Sequence, residues 1–190
     1  MALLGKLLKN RRAGERGLAW NAPNLAGPET VRVTSPDFEH EATMPVAHAG
    51  KRSGGQNTSP ALSWTGTPAG TGQLLLVVED PDVPLPKPFV HGVFLLDAAL
   101  TGVARGALDR NSATAGVRVL RSGKGRGYLG ADPIKGHGPH RYVFQLFAFS
   151  KPITAVAGGA DLESAKPRAV LDAVDGVLAR GRIDGCYENP

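Results

Sequence analysis

Cysteine is nearly absent: Cys186 is the only one in 190 residues. A lone thiol excludes an internal disulfide and a cysteine metal cluster, and makes a reducing, cytoplasmic setting the default expectation. Long apolar runs are also missing. The longest aliphatic stretch is Leu74–Val78, far short of the roughly 20 residues that span a bilayer. The opening MALLGKLLKNRR has no apolar stretch long enough for a secretory core and no small-residue cleavage site behind one. Aromatics make up only 6%, yet hydrophobic residues reach 42%, which excludes a disordered chain and fits one domain of ordinary size.

Acidic residues fall five short of basic ones, 17 against 22. The deficit is local. Residues 1–20 hold Lys6, Lys9, Arg11, Arg12 and Arg16 against Glu15 alone, so the remaining chain is almost neutral. A body that balanced lacks the basic face of a general phosphate-backbone binder, and no nucleic-acid partner is expected. The chain therefore divides into a basic arm over 1–20 and a domain over 21–190. Within the arm, Leu3, Leu4, Leu7 and Leu8 stand at helical spacing beside Lys6 and Lys9, a short basic amphipathic helix. Arg11–Arg16 with Gly14 and Gly17 reads as a flexible tether. Residues 1–16 suit peripheral contact with an anionic membrane or a partner. At so short a length, packing on the chain's own domain or fraying is the stronger expectation.

What is abundant is turn chemistry. Glycine and proline number 25 and 15, scattered between short apolar segments, as in a domain of many strands and long loops. Strands are expected at 30–34, 61–65, 73–79, 90–96, 117–120 and 141–149. The run QLLLVVE at 73–79 has no alternation, so both its faces should be buried. One late helix is expected, capped by Ser164 with Pro167 in its first turn. Its apolar stripe would be Val170, Leu171, Val174, Val177 and Leu178, stopped by Gly181. Residues 182–187 would form a last strand. The sum is mainly β, with a sandwich as the natural packing.

Gly125–Gly130 satisfies G-x-G-x-x-G, but Ala131-Asp-Pro133 follows where a dinucleotide site needs a helix. No G-x-S-x-G or Walker sequence occurs. The informative pieces lie elsewhere. The apolar strand runs into Asp80-Pro81-Asp82-Val83-Pro84, and Phe89-Val90-His91 heads the next strand. Tyr128-Leu-Gly130 opens a Gly/Pro loop that ends in His140-Arg141-Tyr142. Prolines hold the carboxylate rigidly at a strand end. If the two segments meet, Asp80, His91 and His140 share one mouth between apolar walls, where a carboxylate fixes a histidine's tautomer or favours its charged form.

These motifs, with Ser35-Pro-Asp-Phe38 and Asn57-Thr-Ser-Pro-Ala-Leu-Ser-Trp64, resemble the phosphatidylethanolamine-binding protein family, in its bacterial Raf kinase inhibitor-like branch. The resemblance spans about Val33 to Tyr187. It implies a β-sandwich of two antiparallel sheets with an anion pocket at one end, here joined to a C-terminal helix and the N-terminal basic helix. It implies that Asp80, His91 and His140 line the pocket, with Phe89, Tyr142 and Pro133 as neighbours. Asp82, Pro84, Tyr128, Gly130 and Arg141 would hold the loops, Asp82 and Arg141 by an ion pair or backbone bonds. The implied role is a non-enzymatic binder of a small phosphate-bearing anion or phospholipid head group, with inhibition of a kinase or protease as a further role. No cofactor or metal is implied. Two departures stand out. Asp132 replaces a small or proline residue, and would repel an anion if it pointed inward. Gly92 replaces a bulky aromatic, which predicts a wider mouth. The competing reading is a small-ester or phosphate hydrolase, metal-dependent or working by acid–base chemistry at Asp80, His91 and His140. No serine, threonine or cysteine is placed by any motif as an activated nucleophile.

Overall fold

The computed structural model describes residues 2–189. Among the described residues, ten strands form three antiparallel sheets. The first, small sheet consists of β1 (Arg32–Thr34), β2 (Leu62–Thr65) and β5 (Gly102–Val103) in the order β1-β2-β5. The second is built from β3 (Gln73–Asp80), β4 (Phe89–Asp97), β6 (Val117–Val119), β9 (His140–Phe149) and β10 (Val177–Tyr187), in the order β10-β9-β3-β4-β6. A two-stranded ribbon, β7 (Arg121–Ser122) with β8 (Gly125–Arg126), occupies the segment that carries the glycine-rich motif. Helices are short: α1 (Ala2–Leu8) in the arm and α2 (Pro167–Asp172) near the end.

The unbroken apolar run of β3 is explained by burial on both faces. Leu74, Leu76 and Val78 join Phe94, Leu96, Phe144 and Leu146 in the layer between the two sheets. Leu75 and Val77 point the other way, into a second layer closed by Ala19, Leu25, Leu162, Val170 and Leu171. Each such buried aliphatic side chain contributes about 2 kcal/mol.

The late helix is shorter than its apolar spacing predicts. It ends at Asp172, and after a turn at Gly176 (φ 68°) Val177 and Leu178 enter β10, which pairs with β9 down to Tyr187. The physical reason is the β9 edge. Its backbone groups need partners, and the ladder supplied by residues 177–187 outweighs a helical period that local spacing alone would support. Ser164 is not the cap: its hydroxyl donates to the Asp161 carbonyl, and Lys166 holds the cap position without a side-chain bond.

The arm is not a free tether. Ala13 N–H donates to the Val83 carbonyl at 2.9 Å and Gly14 N–H to the Pro81 carbonyl at 2.8 Å. Leu18 and Ala19 are buried, and Ala19 N–H donates to the buried Glu79 carboxylate, which Arg168 and Gln145 also engage. No helix among the described residues is long and apolar enough to cross a membrane.

Candidate functional site

Strand register decides which side chains share the pocket end. In β3 the even positions face the layer between the sheets, so Asp80 follows Val78 onto that face while Glu79 goes to the other. In β9 the even positions 144, 146 and 148 face the same way, which brings His140 and Tyr142 onto Asp80's side. β4 needs a correction to join them. Its odd positions Val93 and Leu95 belong to the outer layer. The pairing shifts so that Val78 faces Gly92 but Glu79 faces Val90, leaving His91 as an extra, bulged residue. The bulge reverses the alternation and turns His91 and Phe89 toward the pocket. Gly92 therefore does not widen the mouth: a Cβ there would lie 2.5 Å from the Phe94 ring, so its missing side chain is space that Phe94 fills.

The result is a cavity of about 630 Å³ whose floor includes Asp80, His91, His140 and Tyr142. Phe89, Pro84 and Pro133 are in its wall with Val83, Leu85 and Ile134, and Lys51, Arg52 and Lys124 bring positive charge. Asp80, His91 and His140 are all buried. One Asp80 oxygen accepts from Asp82 N–H and the other lies 2.7 Å from His140 Nδ1. His91 Nδ1–H donates to the Leu129 carbonyl at 2.7 Å. Its ring is held edge-on between Phe89 and Tyr142, at centroid distances of 5.0 and 4.9 Å. Burial keeps the His91 ring below the usual imidazole range, with the charge of Asp80 opposing this in part. Its Nε2 is the nitrogen left for a ligand. The Tyr142 hydroxyl is buried without a hydrogen-bond partner; burial, then the Asp80 charge, push its ionisation well up, and the nearby Asp132 backbone opposes this only in part.

His137, for which the sequence offered no role, is joined to the site through His140. Its Nδ1 lies 2.7 Å from His140 Nε2, and its Nε2 meets the carbonyls of Leu8 and Arg11 at 2.9 and 3.2 Å. The proton count follows from the partners. Carbonyls only accept, so His137 carries a hydrogen on Nε2. One hydrogen must lie between the two rings and one between His140 and Asp80. Three protons over one carboxylate and two imidazoles give a net charge of zero wherever each one sits. Both nitrogens of His140 are thus engaged.

Asp82 and Arg141 form the expected link: Arg141 donates to Asp82 from its backbone N–H and Nε, each at 2.9 Å. Arg12 of the arm joins Asp82 at 3.0 Å, and Glu15 pairs with Arg141. Burial alone would raise the Asp82 carboxyl, but Arg141 and then Arg12 hold it below the ordinary carboxylate range. Tyr128 donates its hydroxyl to the His48 carbonyl, and Gly130 packs so closely on Ala49 and Gly50 that a Cβ would lie 2.5 Å from backbone. Asn57, with left-handed backbone (φ 59°), donates to the Tyr128 carbonyl and accepts from Gly130 N–H. Asp132 is engaged by Arg52 at 2.7 Å and Ser53 at 2.8 Å, so its charge is offset beside the pocket. The rim cations had no signal in the sequence, because Lys51 and Arg52 come from a turn and Lys124 from a ribbon tip.

Two antiparallel sheets packed face to face, with a polar-floored pocket where β3, β4 and β9 end, define a β-sandwich. The chain belongs to the phosphatidylethanolamine-binding protein family, whose model matches residues 34–188. The putative lipoprotein LppC of Mycobacterium tuberculosis is 32% identical over 163 residues, covering 84% of this chain and 73% of that protein. The phomoidride biosynthesis cluster protein B of a fungal species is 30% identical over 160 residues, 79% of this chain and 76% of that one. The crystal structure of Escherichia coli YbcL, described as a new member of the mammalian PEBP family, matches with a TM-score of 0.71 at 28% identity, covering 84% of this chain and 98% of that one.

Proposed function

We infer that the cavity binds a small phosphate-type anion carried on an apolar group, and that it does so without catalysis. The observation that carries this is the Tyr142 hydroxyl, buried and unpartnered in the floor beside His91. A buried donor left unmade is costly, and a ligand oxygen would satisfy it. His91 Nε2 becomes a second donor on taking up a proton. Lys51 and Lys124 add positive charge, while the Asp80–His140–His137 group is neutral as bonded. The aliphatic and proline wall fits a hydrocarbon or other apolar carrier.

Hydrolysis finds less support in this geometry. His140 has no free nitrogen to activate water, and among the described residues no serine, threonine or cysteine lines the cavity. Nor do three His, Cys, Asp or Glu side chains gather as a metal-ligand set among them.

Isothermal titration with inorganic phosphate, sulfate and phosphoethanolamine tests the reading. Binding of at least one that weakens about tenfold or more in His91→Ala is expected, since one charge-assisted bond is lost. Absence of binding to all three, or turnover of a phosphate or carboxylic ester abolished by His140→Ala, would sink it.

A further inference from the structure

The arm's helix is docked the wrong way round for a core helix. Its buried position is Gly5, not a leucine: a Cβ at Gly5 would lie 2.1 Å from the Lys135 carbonyl oxygen and 2.7 Å from His137 N. Leu3, Leu4 and Leu7 face outward, 72%, 55% and 74% exposed. A short helix that merely packed on its own domain would bury this stripe. Instead a glycine gives close approach, His137 holds the carbonyls of Leu8 and Arg11, and three leucines are presented on one side.

The surroundings are basic. Lys6, Lys9 and Arg11 are exposed on the arm, and Lys135 is exposed on the loop beneath it. That loop also supplies Pro133 and Ile134 to the pocket wall, so α1 packs on the segment that forms one side of the mouth, where Lys51, Arg52 and Lys124 also lie. Leu85, also on the pocket wall, is 49% exposed.

We propose that α1 and the rim of the pocket form a docking face for an anionic lipid bilayer, with Leu3, Leu4 and Leu7 entering the acyl boundary and the lysines meeting head groups. Charge complementarity selects this occupant. Scattered single leucines need no explanation, but a contiguous apolar stripe rimmed by cations has the composition of an interfacial helix. A second copy of the chain is disfavoured, because a two-fold contact through α1 would set each copy's lysines against the other's. A short apolar insertion alone binds marginally, so the basic rim is the required second signal, and docking is reversible and weakened by salt. The inference stands apart from the pocket's ligand, although docking would bring the mouth to head-group level.

The test is co-sedimentation of the full chain with vesicles of phosphatidylcholine alone or mixed with phosphatidylglycerol, at low and high salt. Binding to the mixed vesicles is expected at low salt, falling at high salt, with binding to neutral vesicles about tenfold weaker or more. The double variant L3S/L7S should lose about tenfold or more of the vesicle binding, with unchanged melting temperature and unchanged phosphate titration in solution. Its mutated side chains are exposed, so folding is spared. Lys6→Glu with Lys9→Glu should lose the preference for the anionic surface. The proposal fails if the wild type does not sediment with mixed vesicles, or if L3S/L7S sediments equally. It also fails if the leucines instead drive self-association in ultracentrifugation with no vesicle binding. Vesicle binding that persists when phosphate titration shows nothing would uphold the docking face and remove the pocket reading.

Discussion

His137 Nδ1 stands 2.7 Å from His140 Nε2, and this contact joins the floor of the pocket to the N-terminal arm. The far nitrogen of His137 donates to two backbone carbonyls at the end of α1. His137→Ala should therefore release the helix while leaving the sandwich folded. Losing this one shared hydrogen bond, worth about 1–1.5 kcal/mol, predicts amide exchange roughly tenfold faster in residues 2–11. Residues 13–19 should keep their protection, because Ala13 and Gly14 still donate to Val83 and Pro81. Exchange measured by mass spectrometry checks both halves. Unchanged protection in 2–11 would show that the ring does not hold the helix.

Tyr142→Phe separates a ligand-binding role from a packing role by the sign of two effects. In the free protein the hydroxyl is buried with no partner. Its removal relieves a desolvation cost, and stability should stay equal or rise by about 1 kcal/mol. A bound anion, however, would lose a donor, and its affinity should fall about tenfold. Thermal melts and phosphate titration on the same preparation read the two signs. A variant that is less stable but binds equally well would make Tyr142 a packing residue only.

The pattern of what the sequence revealed follows from which forces are local. The β3 run of Leu74–Val78 is apolar throughout because both its faces are buried, a property visible without any partner strand. Asp80, His91 and His140 were recognisable through motif order and prolines. The end of α2 was not, because Val177 and Leu178 fit the helical stripe locally and only the β9 edge draws them into a strand. The β4 bulge at His91 was equally hidden. Its one trace is Gly92, a glycine inside a strand, and the reading as a wider mouth mistook space for the Phe94 ring for space in the pocket. His137 had no pattern of its own, since its partners lie about 130 residues away in the arm.

Asp82 ties the Asp80-Pro81-Asp82 turn to β9 and the arm, so its loss should show in acid stability. Arg141 and Arg12 depress its carboxyl in the folded state despite burial. The unfolded chain takes up a proton near pH 3.9, while the folded chain resists until lower pH. The stabilisation is therefore present above that value and lost as pH falls through the folded one. Asp82→Asn should lower stability by about 1–3 kcal/mol at pH 7, and the gap to wild type should narrow below about pH 4. Urea melts across this range measure it. A gap constant with pH would assign the effect to packing instead of charge.

His91 links anion binding to pH with two opposite trends. In the free protein burial holds its pKa below the ordinary 6.5, so Nε2 is bare at neutral pH. The unfolded chain protonates His91 first as pH falls. The neutral buried ring therefore supports stability above about pH 6.5, and this support is lost as pH falls from there toward the folded value. An anion beside Nε2 reverses the preference, because it favours the imidazolium and raises the pKa. Sulfate, whose charge is constant over this range, should bind more tightly as pH is lowered from 7, by up to about tenfold per unit. The gain should level off once the free ring is itself protonated. Sulfate should also restore part of the stability lost to acid. His91→Gln, which keeps a polar side chain but removes the titration, should flatten the affinity profile. Titration calorimetry at several pH values, in buffers of different ionisation enthalpy, counts the proton taken up. A pH-independent sulfate affinity in the wild type would remove His91 from the anion's contacts.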